Sequence, residues 1–81
     1  MDFQTLRGLK SVVTAHNAHR YSEPVELWFP HMYMDGVWSC TLIFGKTVDD
    51  TEMSDFILFL YGNSCRFFIG TCNEDIAIFV Q

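Results

Sequence analysis

The sequence predicts an α+β fold, an N-terminal amphipathic helix packed on a five-stranded antiparallel β-meander; the alternative is α-ββ-α-ββ with a four-stranded antiparallel sheet. Three observations carry the prediction. Leu6, Leu9, Val13 and His16 recur at helical spacing. Two apolar runs within residues 25–44 flank Asp35-Gly36, the dipeptide that most favours a two-residue type I′ turn. Two further runs flank Gly62-Asn63, and Cys72-Asn73-Glu74-Asp75 turns the chain into a last strand over Ile76 to Val80.

The helix spans about residues 2–20, because Asp2 can cap it while Arg7, Lys10, Thr14 and Asn17 fall away from the apolar face. Gly8, Thr14 and the Val12-Val13 pair lower its intrinsic propensity, so it depends on docking against the sheet. It ends before Pro24, since the residue preceding a proline avoids helical angles.

In the hairpin of residues 25–44, pairing outward from Asp35-Gly36 sets Met34 opposite Val37, Tyr33 opposite Trp38, His31 opposite Cys40, Phe29 opposite Leu42 and Leu27 opposite Phe44. One face then carries Leu27, Phe29, Cys40, Leu42 and Phe44 and lies under the helix. The other carries Trp28, Met32, Met34, Val37 and Ile43, too apolar for a face left in water. Pro30 cannot donate a ladder hydrogen bond, which puts its strand at a sheet edge or a bulge.

Residues 45–55, with Asp49, Asp50, Glu52 and Asp55, read as an acidic loop or one helical turn. The run Phe56 to Tyr61 reads as a strand, because pairing across Gly62-Asn63 gathers Phe56, Leu58, Leu60, Cys65, Phe67 and Ile69 on one wholly apolar face. Ile57, Phe59, Tyr61 and Phe68 fall on the other. The four-stranded alternative differs in making residues 51–62 a helix. Either way the strands of the second half lie within residues 56–80.

At 81 residues the chain is read as a single α+β domain over 1–81, near the size at which one core just suffices; its 49% hydrophobic content is needed for folding. Sixteen per cent aromatic content argues against disorder, and no apolar run is long enough to span a bilayer. The N-terminus lacks the basic start and apolar middle of a secretory signal, so a cytoplasmic location is expected. Cys40, Cys65 and Cys72 form no CxxC pair and suit free thiols in a reducing compartment.

Chemistry-bearing constellations are sparse. Opposite placement of His31 and Cys40 is the one arrangement resembling a nucleophile with its base, but no third group orients the imidazole. His16 and His19 are spaced like half of a zinc site without the second pair, and the acids of residues 49–55 lack calcium-loop spacing. No catalytic residue, metal ligand or cofactor is assigned. A Cys/His enzyme remains the minor alternative.

Charge gives a direction. The net charge is −5, divided unevenly: Arg7, Lys10 and Arg20 against Asp2 make residues 1–20 positive by two, leaving −7 on residues 21–81. Such a body repels nucleic-acid phosphates and is drawn to basic protein surfaces. The expected function is therefore a non-enzymatic, protein-binding inhibitor that docks an acidic and aromatic surface onto a basic groove of a larger, nucleic-acid-handling protein. Asp49, Asp50, Glu52 and Asp55 would steer association, and Trp28, Met32, Met34 and Tyr61 would anchor it. In size, charge and want of catalytic groups the chain is similar to phage-encoded anti-defence proteins such as anti-CRISPRs, and to bacterial immunity proteins that neutralise nuclease toxins. The similarity is one of type and carries no motif. The alternative is a homodimeric structural or adaptor module that pairs through its second sheet face or edge strand.

Overall fold

The computed structural model describes residues 1–19, 23–32 and 36–81, with backbone and not side chains at residues 27–29 and 32. The order is α1 (Phe3–Ala18), β1 (Glu26–Met32), β2 (Trp38–Ile43), α2 (Asp50–Gly62), β3 (Phe67–Cys72) and β4 (Asp75–Val80). The strands form one antiparallel sheet in the order β1-β2-β4-β3. The four-stranded alternative is thus the observed architecture. The five-stranded meander fails at residues 51–62, which are helical.

The capping chemistry of α2 explains why. The Asp49 carboxylate accepts the Glu52 N–H at 2.9 Å, with Asp50 and Glu52 in the first turn, where the helix dipole favours acids. Met53, Phe56 and Leu60 then recur on one buried face. At the other end the Cys65 N–H donates to the Leu60 carbonyl at 3.0 Å and the Ser64 N–H to the Tyr61 carbonyl at 3.2 Å. Ser64, at φ 55°, holds the left-handed position of this Schellman closure. Gly62-Asn63 is therefore part of a helix end and no hairpin turn. The acidic residues 50–55 are helix start, not loop.

Helix α1 buries Leu6, Leu9, Val13 and His16, the face the sequence predicts, and the Asp2 carboxylate caps it by accepting the Thr5 N–H at 2.8 Å. That bond, foremost, holds the Asp2 carboxyl below its ordinary range. Its far end is latched to the residue that precedes β1. Asn17 donates to the Val25 carbonyl at 3.0 Å and accepts the Val25 N–H at 2.8 Å, presenting an amide that mimics a neighbouring strand. Gly8 lets α2 come close, since a side chain there would run into the Phe59 ring.

Both helices supply the core that covers one face of the sheet. Cys40, Leu42 and Phe44 of the β2 segment and Ile78 and Val80 of β4 meet Leu9, Phe56 and Leu60, all buried. His16 sits among them, its ring edge-on to Phe56 at 5.1 Å and its Nε2 3.3 Å from the Glu23 carbonyl. His19 is exposed, so the two histidines do not share a site.

The register of the first hairpin differs from the predicted one. Leu27 pairs with Leu42 and Trp28 with Thr41, the pairing shifts between Trp28 and His31, and beyond the shift His31 pairs with Ser39 and Met32 with Trp38. Pro30 lies inside that shift, and β1 is an edge strand, so its missing N–H has both effects the sequence implies. Asp35 and its expected Met34 and Tyr33 pairings fall outside the described residues, while Gly36 has φ 82°. The tight two-residue turn is found instead at Asn73 and Glu74, with φ 49° and 72°, between the paired residues Cys72 and Asp75.

Candidate functional site

The residues singled out from the sequence divide into three groups. Asp49, Asp50, Glu52 and Asp55 all lie in the N-terminal half of α2. Asp49 caps the helix, Glu52 is half-buried, and Asp50 and Asp55 stand exposed. Tyr61 lies near the other end of the same helix, 71% exposed, with its ring edge-on to Phe67 at 5.3 Å. Met34 and the side chains of Trp28 and Met32 lie outside the described residues.

Helical spacing adds a residue that the strand reading had placed in the core. Leu58 is 68% exposed, because Asp55, Leu58 and Tyr61 follow at steps of three along the outer side while Phe56 and Leu60 point into the core. The outer face of α2 thus runs from carboxylates to two large apolar side chains. No lysine or arginine occurs between Lys46 and Arg66, so nothing within that segment balances the acids.

The sheet face away from the helices is the second exposed apolar area. On it Phe68 of β3 and Phe79 of β4, which are register partners, stack with ring centroids 4.7 Å apart. Phe68 is 61% exposed, and a side chain on Gly70 would contact the Phe79 ring. Ile43 is half-buried on the same face, by its pairing with Ala77. The sequence reading places Ile43 and Phe68 on such a face but assigns Phe59 and Tyr61 to it as well. Those two belong to α2.

A groove of about 890 Å³ runs along α1, bounded by Phe3, Arg7, Lys10, Thr14, Pro30 and Trp38. Phe3 and Trp38 have ring centroids 6.0 Å apart, and the Arg7 guanidinium lies 6.0 Å from the Phe3 ring centroid. Its β1 wall adjoins residues whose side chains lie outside the described set.

The His31 and Cys40 pair is not assembled. Cys40 pairs with Val80 and its side chain is 5% exposed beneath the helices, whereas His31 pairs with Ser39 and is exposed. Alternation puts the two on opposite faces of the sheet. Burial, with a smaller contribution from Cys65, pushes the Cys40 thiol up to about 12, the reverse of what an activated nucleophile needs. Burial also raises Cys65. Among the described residues no group of three or more histidine, cysteine, aspartate or glutamate side chains could hold a metal ion, and no helix is long and apolar enough to cross a membrane.

No protein-family model, curated protein or solved structure matches the chain.

Proposed function

We propose that this protein is a non-enzymatic binding protein that presents the outer face of α2 to a basic groove of a larger partner, of the class that handles nucleic acid, and thereby occludes it. The observation that carries the reading is the arrangement on α2: exposed Asp50 and Asp55 with Leu58 and Tyr61 on one helix, in a segment without a balancing cation. Carboxylates of this kind raise the association rate with a basic surface, and an exposed tyrosine and leucine supply area that is buried only when a partner arrives. Trp28, Met32 and Met34 extend the proposal as further anchors on the sequence reading alone.

The test is capture from a cell extract by the intact protein, alongside Asp50→Lys/Asp55→Lys and Tyr61→Ala variants. The expected partners are basic proteins. They should be lost as salt rises and lost with the double charge reversal, while Tyr61→Ala weakens capture by about tenfold or more, the scale of an interface anchor. Capture that is indifferent to salt and to all three substitutions would remove α2 as the docking element.

A further inference from the structure

The two edges of the sheet are built differently. Edge strand β1 contains Pro30 and a register shift, two devices that discourage pairing with another strand. Edge strand β3, Phe-Phe-Ile-Gly-Thr-Cys, contains neither a proline nor a charge and pairs through all six residues with β4 in unbroken register. We propose that the free edge of β3 pairs with β3 of a second copy of this chain, antiparallel about a two-fold axis at Gly70, joining two four-stranded sheets into one of eight strands.

The register follows from hydrogen bonding already present. The Gln81 N–H donates to the Arg66 carbonyl at 2.8 Å, so the main chain of Arg66 is turned toward the β4 side. Alternation then turns Phe68, Gly70 and Cys72 the same way and leaves the N–H and C=O groups of Phe67, Ile69 and Thr71 facing outward. Residues directly opposite in an antiparallel ladder must both face inward or both outward, so the two-fold axis passes through a residue and not between two. Centred on Gly70, it sets Ile69 against Thr71 of the other copy and Phe68 against Cys72, and brings Arg66 of one copy toward the Asn73-Glu74 turn of the other.

Charge favours the antiparallel sense. Arg66 precedes β3, and the turn that follows it carries Glu74, whose carboxylate is 3.1 Å from the Lys46 Nζ, together with Asp75, so antiparallel copies bring a cation beside a turn with one carboxylate in excess, whereas parallel copies would set Arg66 against Arg66. The edge has area to bury. Tyr61 and Phe68, 71% and 61% exposed, contribute on the order of 250 Å² per copy if a full aromatic side chain counts ~200 Å², about a third of the ~800 Å² per partner of a standard interface. Ile69, 48% exposed, and the strand's own main chain add to it. Gly70 lies diagonally across from Phe68 of the other copy, and its lack of a side chain leaves that approach open.

This pairing shares Tyr61 with the α2 docking reading but not its carboxylates, so the Asp50→Lys/Asp55→Lys variant should associate as the parent does. Sedimentation velocity from micromolar to near-millimolar protein should show the parent passing from monomer to dimer. Thr71→Pro removes one outward donor without touching the β4 ladder, and Ile69→Lys puts a charge beside the axis. Both should sediment as monomers while keeping a cooperative melt, and if Thr71→Pro does not fold, Ile69→Lys alone carries the comparison. Under oxidation Phe68→Cys should form a covalent dimer through Cys72 of the other copy, since within one chain positions 68 and 72 are ~13 Å apart along the strand, beyond the reach of a disulfide. Ile69→Cys, on the opposite sheet face, should not. A parent monomeric at every concentration, a dimer that survives both edge substitutions, or a crosslink at Ile69→Cys in place of Phe68→Cys would each overturn the proposal.

Discussion

Strands β1 and β3 bound the same sheet and have similar lengths, yet one is broken and the other, among the described residues, bare. β1 carries Glu26, Pro30 and His31 and changes register in its middle; β3 offers six uncharged residues in continuous pairing. An unpaired strand edge is a template for any other strand, and a soluble protein blunts it unless it is used. The difference teaches that the sheet has a closed side and an open side. Tyr61, near the C-terminal end of α2, touches Phe67 of β3, so the exposed apolar end of that helix lies toward the open side.

The largest expected effect comes from breaking the support of the open half. Phe56 is fully buried and touches Phe44 and His16 with ring centroids 5.3 and 5.1 Å away. Phe56→Ala should cost about 3–5 kcal/mol in chemical denaturation, through lost transfer energy and the cavity left behind. The closed half has a weaker fastening. Asn17→Ala leaves both main-chain groups of buried Val25 without their side-chain partner and should cost about 1–3 kcal/mol, measured the same way.

Pro30→Val should erode the distinction itself. By restoring a donor to β1 it is expected to make the closed edge adhesive, seen as species larger than a dimer in sedimentation, with a small change in stability. Cys40 sharpens the core beneath both halves. Its thiol titrates near 12 in the fold against 9.0 ordinarily, so the unfolded chain ionises first: its contribution is intact below pH 9 and lost as pH rises toward 12. Cys40→Ala should flatten that alkaline limb of stability, and iodoacetamide should label Cys40 in the parent only on unfolding. The smallest effect is expected at Ser64, whose φ of 55° suits glycine: Ser64→Gly should stabilise α2 by about 0.5–1 kcal/mol.

What could be read from the sequence follows from how local each signal is. α1 announced itself because its cap and its buried stripe lie within one window, and the turn at residues 72–75 is likewise local. α2 is not legible from Phe56 to Tyr61, because that run alone fits either a strand or a helix. The deciding residues, Asp49 with Glu52 at the start and Met53 one turn before Phe56, lie outside that run. The register of β1 does not follow from the Asp35-Gly36 turn, because the pairing shifts at Pro30, a residue that by itself points to a sheet edge or a bulge. Asp50, Asp55 and Tyr61 are exposed, as the sequence suggests, whereas Glu52 is half-buried. The exposure of Leu58 is not legible there, because it depends on the helix. The open edge was beyond reach, since β3 becomes an edge only when α2 carries the chain past β4's position and lets β4 insert beside β2.

The contrast between the two edges is tested most directly by amide hydrogen exchange, read residue by residue at low and at high protein concentration. The amides of Ile69 and Thr71 should gain protection as concentration rises, and those of β1 should not change. Exchange at these two that is fast and independent of concentration, or protection that appears along β1 instead, would contradict the assignment of β3 as the open edge.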